Sequence, residues 1–208
     1  MTTTNAFASY WLMPRMELFR QTFPEITLYI HTSDTIISLE ENNIDIAIRY
    51  GDTPDEQMTS YLLSEDSFTV VASPQLKINS LDDLLNFPLI HVKERRFPKY
   101  PVDWEKWRSI FGPSSLNVDE GVHFTDEVHA MQYVIAGQGV FISSRVIADD
   151  AINNGLLYQP LEQKLTGCRY YFIENKTGVK KEIITHFRKW LIEQIQLSKK
   201  QYITDNEF

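Results

Sequence analysis

The feature that most restricts this chain is a five-part pattern that occurs twice. From Thr3 to Asp52 the sequence reads as short strand, helix, strand, helix, strand. Ala8, Leu12, Met16, Phe19 and Phe23 fall on one helical face. Pro14 lies inside that helix, removes a hydrogen bond and predicts a kink; Pro24 ends it. Ile26 to His31 alternates as a strand, Thr32, Ser33 and Asp34 offer caps for a helix from Thr35 to Asn42, and Ile44 to Asp52 is apolar enough to be a buried strand. The order returns as strand Leu89 to Val92, helix Trp104 to Phe111, strand Leu116 to Phe124, a helix Glu127 to Ala136 capped by Thr125 and Asp126, and strand Val140 to Ser144. Strands separated by helices call for parallel sheets with right-handed crossovers. The expectation is α/β, with two Rossmann-like lobes.

Two apolar runs connect the lobes, Asp66 to Ala72, ending at Ser73-Pro74, and Gly167 to Ile173. Read as two antiparallel crossings, they form a two-stranded hinge. Val179 to Leu197 is an amphipathic helix with Ile183, Phe187, Trp190 and Ile195 on its apolar face, expected to pack on the first lobe. Asn79 to Leu85 reads as a short capped helix stopped by Phe87-Pro88. Lys93 to Pro101, basic, aromatic and twice interrupted by proline, is expected to be a surface loop, and Gln201 to Phe208 a frayed end. The resulting division is 1–66 with 174–208 as lobe I, and 67–173 as lobe II.

Composition narrows the function. The 208 residues include no apolar run long enough to span a bilayer, and the first residues lack the basic start and apolar core of a secretion signal, which points to the cytoplasm and away from membranes. A single cysteine, Cys168, excludes an internal disulfide and a thiolate-rich metal site. The net charge of −8, with basic residues scattered, is unsuited to holding DNA directly.

In open α/β sheets ligands bind beyond the carboxyl ends of the strands, where helix amino termini also point. That rule selects Thr4, Asn5 and Ala6, then Thr32, Ser33 and Asp34, then Tyr50 in the first lobe. In the second it selects His91 and Lys93, then Phe124, Thr125 and Asp126, then Ser143 and Ser144. These loops are expected to face each other across the hinge, and their N–H groups and small hydroxyls suit an anionic group on a small molecule. For Thr32, Ser33 and Thr125 the competing reading is plain helix capping. His91, on an apolar strand, reads more readily as a satisfied core residue than as a ligand contact. Trp104 and Trp107 share a helical face that fills the core or meets another subunit.

No catalytic constellation emerges. There is no Gly-x-Ser-x-Gly elbow or phosphate-cradling loop, and Gly137-Gln138-Gly139 reads as a helix end and turn. His123, Asp126, Glu127 and His129 lack metal-ligand spacing, so no metal and no cofactor is called for.

Phe-Ala-x-x-Trp-Leu-x-Pro-Arg at Phe7 to Arg15, then Phe19 with Phe23-Pro24-Glu25-Ile26, Ile44 to Asp52, Ser73-Pro74 and Ala136 to Val140 form an ordered set. Together they resemble the effector-binding domain of LysR-type transcriptional regulators, in the branch of the glycine-cleavage activator and the β-lactamase regulator. The resemblance implies a fold similar to type II periplasmic binding proteins and a small-molecule effector in the cleft between lobes. It also implies a homodimer with lobe I of one chain antiparallel to lobe II of the other, through Phe7 to Phe23 and Ile26 to Ile30 against Trp104 to Phe111 and Asn117 to His123, and tetramers in full-length proteins. DNA is reached only through an amino-terminal winged helix-turn-helix, which nothing before Thr3 can form, so the chain is expected to be a regulatory half. One departure stands out: relatives often place Ser or Thr before Phe-Ala, whereas here the residue is Ala6. The contact then passes to Asn5 or Thr4, or the ligand differs. The rival reading is a solute-binding protein of a transport system, which shares the fold.

Overall fold

In the computed structural model, which describes residues 1–53, 58–93, 102–175 and 181–204, the first helical stretch changes pitch twice around Pro14. Phe7–Leu12 is a π-helix, Met13–Arg15 a 3-10 turn, and α1 (Met16–Thr22) an α-helix. Proline has no N–H to donate, and its ring collides with the carbonyl four residues back. The wider π turn, closed by Met13 N donating to Ala8 O, absorbs the mismatch. The apolar stripe survives, with Ala8, Leu12 and Phe19 buried together with Phe7 and Trp11.

The chain falls into two compact units, Met1–Glu65 with Cys168–Phe208, and Asp66–Gly167. Both boundaries lie inside strands, in β4 (Thr59–Val71) and β8 (Lys164–Glu174).

The first unit holds β1 (Thr2–Thr3), β2 (His31–Thr32) and β3 (Ile46–Gly51). β1 is parallel to both β2 and β3, and β3 pairs antiparallel with β8 from Ile46 opposite Glu174 to Gly51 opposite Arg169. Its core is largely aromatic. Phe7 stacks on Trp11 at 4.9 Å and lies 5.2 Å from Tyr170. The carboxyl-terminal helix α5 (Lys181–Thr204) supplies Phe187 and Trp190, each 5.2 Å from Phe19 in edge-on contact. Ile184, Phe187, Trp190, Leu191 and Ile195 form the buried face of α5, whereas Ile183, assigned to that face from the sequence, is exposed.

Two expectations for this unit change. The strand expected over residues 26–31 pairs only as His31–Thr32, because its partners Met1 to Thr3 reach only from Tyr29 to Ser33. The helix expected over residues 35–42 is replaced by turns. Ser33 Oγ accepts from Thr35 N and donates to Thr35 O, a local turn that competes with helix initiation, and Ile36 stays 85% exposed with no partner face.

In the second unit β5 (Leu89–Val92) lies between two parallel neighbours, β6 (Val122–Phe124) and β7 (Val140–Ser144), and β7 pairs antiparallel with β4. The expected strand over 116–124 is confined to β6, with bends before it. α2 (Trp104–Phe111) starts where Asp103 accepts from Lys106 N at 2.7 Å. Trp104 and Trp107 are both buried, and Trp104 Nε1 donates to Ile90 O, so they belong to the core of their own unit. α3 (Glu127–Ile135) follows β6, and α4 (Arg145–Asn153), which periodicity alone did not single out, follows β7 directly. The short helix near Leu81 is a 3-10 turn, Asp82–Asn86, with Asp83 accepting from Asn79 N and Ser80 N. Gly137, with a φ of 74°, ends α3 as a left-handed cap. The loop expected from Lys93 to Pro101 lies outside the described residues after Lys93, as do the last residues of the expected frayed end.

Candidate functional site

The first unit places Thr4, Asn5 and Ala6 at the start of the helical stretch, immediately after β1. Thr4 Oγ1 accepts from Phe7 N at 3.3 Å and so caps that stretch. The N–H groups of Asn5 are engaged by a carboxylate of the chain itself: Asp34 Oδ1 accepts from Asn5 N at 3.0 Å, and Asp34 Oδ2 from Asn5 Nδ2 at 2.6 Å. Asn5 and Asp34, chosen separately from the sequence, are thus direct partners. Ala6 is buried. Thr32 pairs with Thr3, and Ser33 N donates to Thr3 O, which carries both to the same strand end. Tyr50 lies near the end of β3 and accepts from Cys168 N at 2.8 Å, its ring 4.7 Å from Tyr170. Its hydroxyl ties β3 to β8.

The second unit orients its residues more sharply. Asp126, rather than Thr125, caps α3. Its carboxylate accepts from His129 N at 2.9 Å and contacts His129 Nδ1 at 2.5 Å. Burial pushes this carboxyl up, but the bonds from His129 outweigh burial and hold it below the usual carboxylate range. Thr125 is therefore left exposed at the mouth of the strand end, with its capping task taken by its neighbour. Lys93 N donates to Phe124 O, closing the ends of β5 and β6 together, and the Phe124 ring rests 5.4 Å from Tyr133.

His91 stacks on His123 across the β5–β6 pair at 4.3 Å, with Nε2 3.1 Å from Glu120 O. Burial pushes His91 below the usual histidine range, which favours the neutral ring. Ser143 is fully buried, its hydroxyl directed to Met131 Sδ and Ser144 O. Ser144 caps α4 by accepting from Ile147 N.

One further candidate was read from the sequence only as part of a hinge strand. Asp66 lies two residues before Phe68, which pairs with Ser144 at the carboxyl end of β7. Asp66 therefore extends past the strand ends on the same edge as Phe124, Thr125 and Ser144. It is 8% exposed, and its Oδ1 accepts from Ser67 N at 2.8 Å and from Val146 N, in the first turn of α4, at 3.4 Å. Burial lifts its pKa to about 6, against the opposing pull of the Ser144 hydroxyl and those two backbone donors, while Glu127 adds a smaller upward push. The sequence signal was faint, a single acid opening an apolar β-branched run.

A groove of about 420 Å³ lies elsewhere in the first unit, lined by Met16, Phe19, Phe23, Pro24, Ile26 and Leu28 among others, and none of the expected ligand contacts lines it. Among the described residues no three His, Cys, Asp or Glu side chains gather as a metal site, and no helix is long and apolar enough to cross a membrane.

The fold is of the α/β class, with polar side chains gathered at the carboxyl ends of its strands. Residues 1–196 match the LysR substrate binding domain family, and the chain belongs to it. It is 28% identical over 195 residues to the glycine cleavage system transcriptional activator homolog of Haemophilus influenzae, covering 91% of this chain and 63% of that protein. It is 26% identical over 203 residues to the glycine cleavage system transcriptional activator of Escherichia coli K12, covering 95% of this chain and 65% of that protein. The chain thus spans a little under two thirds of these relatives. The AmpR effector binding domain from Citrobacter freundii superposes with a TM-score of 0.75 at 22% identity, over 94% of this chain and 96% of that one, which places the fold with LysR effector-binding domains of the periplasmic-binding-protein type. These relatives are transcriptional regulators, and the transport reading gives way to the LysR one.

Proposed function

We propose that this domain regulates transcription by binding a small effector through the loops at the carboxyl ends of its strands, and that it performs no catalysis. The observation that carries this reading is the family match over residues 1–196. Within the first unit the proposed contacts are Thr4, Asn5, Ala6, Thr32, Ser33, Asp34 and Tyr50, and within the second His91, Phe124, Thr125, Asp126 and Ser143. Of these, Asn5 and Thr125 have the best-placed donors. An anionic group on the effector reaches the two N–H donors of Asn5 by displacing Asp34, so its binding energy is set against an internal carboxylate. Effector binding shifts the population of conformations, and an amino-terminal winged helix-turn-helix, the part that meets DNA, reads that shift in the cytoplasm.

The second part of the reading is a homodimer, first unit against second unit in antiparallel fashion, which assembles to tetramers in a full-length regulator. Leu18 and Tyr29, the latter 80% exposed, offer apolar surface beside the groove of the first unit, and Ile110, 51% exposed, offers it on α2. Buried Trp104, Trp107 and Phe19 support this surface from within.

A thermal-shift screen against small carboxylates, amino acids, aromatic acids and cell-wall fragments tests the effector reading. A selective rise in melting temperature, lost in Thr125→Ala, supports it. A compound that shifts Thr125→Ala and Asn5→Ala as strongly as the parent chain would place the ligand elsewhere.

A further inference from the structure

The proposed effector site contains a feature that neither capping nor packing explains. Asp66 Oδ2 is buried and, although the Ser144 hydroxyl is near enough to pull on the carboxylate, has no partner within hydrogen-bond geometry among the described residues, whereas the other oxygen is satisfied twice. A buried acceptor without a donor is costly, and one on an ionisable group more so. A purely structural cap for α4 would need only the oxygen that already accepts from Val146 N, and Ser144 already fills the N-cap position. Arg145, the cation next in sequence, is directed to Asp149 at 2.5 Å and to Gln159 at 3.1 Å. Glu127, at the first turn of α3 beyond the end of β6, adds negative potential. The second unit thus presents, at the edge where ligands bind in such sheets, a desolvated carboxylate with one unused oxygen in a negative field.

We propose that Asp66 receives an ammonium group of the effector through Oδ2. This rests on the reading of the domain as an effector sensor and adds the chemical class: the effector carries a protonated amine. An ammonium matches both requirements, donating to the orphaned oxygen and neutralising a charge held away from water. Asp66 is then a specificity-determining residue. A ligand lacking the amine leaves the carboxylate buried and unpaired, and loses far more than one missing a methylene.

The test pairs free amino acids with their N-acetyl derivatives, in calorimetric titrations of the parent chain, Asp66→Asn and Asp82→Asn. Asp66→Asn keeps an oxygen for Ser67 N and Val146 N, and its circular dichroism and melting curve check that the fold is retained. The expected result is that at least one free amino acid binds the parent chain, that acetylation weakens it tenfold or more, and that Asp66→Asn does the same while Asp82→Asn, at an exposed acid outside the proposed contacts, changes it less than threefold. Affinity of the parent chain should also fall as pH drops below about 6, where Asp66 takes up a proton, and this dependence should vanish in Asp66→Asn. Equal binding of acetylated and free compounds, or unchanged amine binding by Asp66→Asn, would overturn the assignment. If only amine-free compounds bind, the ammonium proposal fails and the effector reading stands. If no class of compound binds, both fail.

Discussion

At the scale of single residues, a buried polar group carries an energetic cost that the exposed hydroxyls near the strand ends do not. Asp66 illustrates the cost. Its pKa of about 6, against an ordinary 3.8, means the folded chain holds the proton more tightly than the unfolded chain. Below pH 3.8 both states are protonated and the penalty is absent. It grows as pH rises towards about 6 and is constant above that, reaching about 3 kcal/mol on a scale of 1.36 kcal/mol per unit. Asp66→Asn should therefore raise the melting temperature at pH 7, by up to the equivalent of that amount, and the gain should shrink to nothing near pH 4. A gain that is independent of pH would show that something other than ionisation is being relieved. Sequence reading identified Asn5 and Asp34 from the strand-end rule but not that they satisfy each other, because pairing across 29 residues depends on how β1 and β2 meet.

At the scale of elements, what was legible in the sequence was whatever local chemistry dictates. α2 and α3 have their own caps and apolar faces, and β5 and β7 are short apolar runs between breakers, so pattern alone located them. Residues 26–31 and 35–42 carried strand and helix patterns, yet the available partners decided the outcome: β2 pairs only where β1 lies opposite, and the turn at Ser33 competes with the second helix. The tightest constraint on an element is Gly121, just ahead of β6. Its φ is 137°, and an added Cβ would stand 2.0 Å from Leu89 O on the neighbouring strand. Gly121→Ala should cost more than about 2 kcal/mol, because backbone must move at the β5–β6 pair. Gly51→Ala, with nothing within 4 Å and no positive φ, is the matched control and should change the urea midpoint little. Similar losses from both would mean that the close approach at Gly121 relaxes freely.

At the scale of the whole molecule, the dimer reading makes the exposed apolar residues of α1 and α2 complementary. Leu18→Arg and Ile110→Arg should each lower the sedimentation coefficient towards that of a monomer without changing circular dichroism, since each is substantially exposed and removes little of its own core. Unchanged sedimentation in both variants would put any interface elsewhere. The division of the chain has a consequence for its birth on the ribosome. The second unit is one uninterrupted segment, Asp66–Gly167, whereas the first is assembled from both ends of the sequence. Phe19 precedes the second unit and finds Phe187 and Trp190 only after the whole of that unit has been made. The usual vectorial order is thus inverted: the second unit can close first, while Phe19 waits without its aromatic partners until α5 has been made.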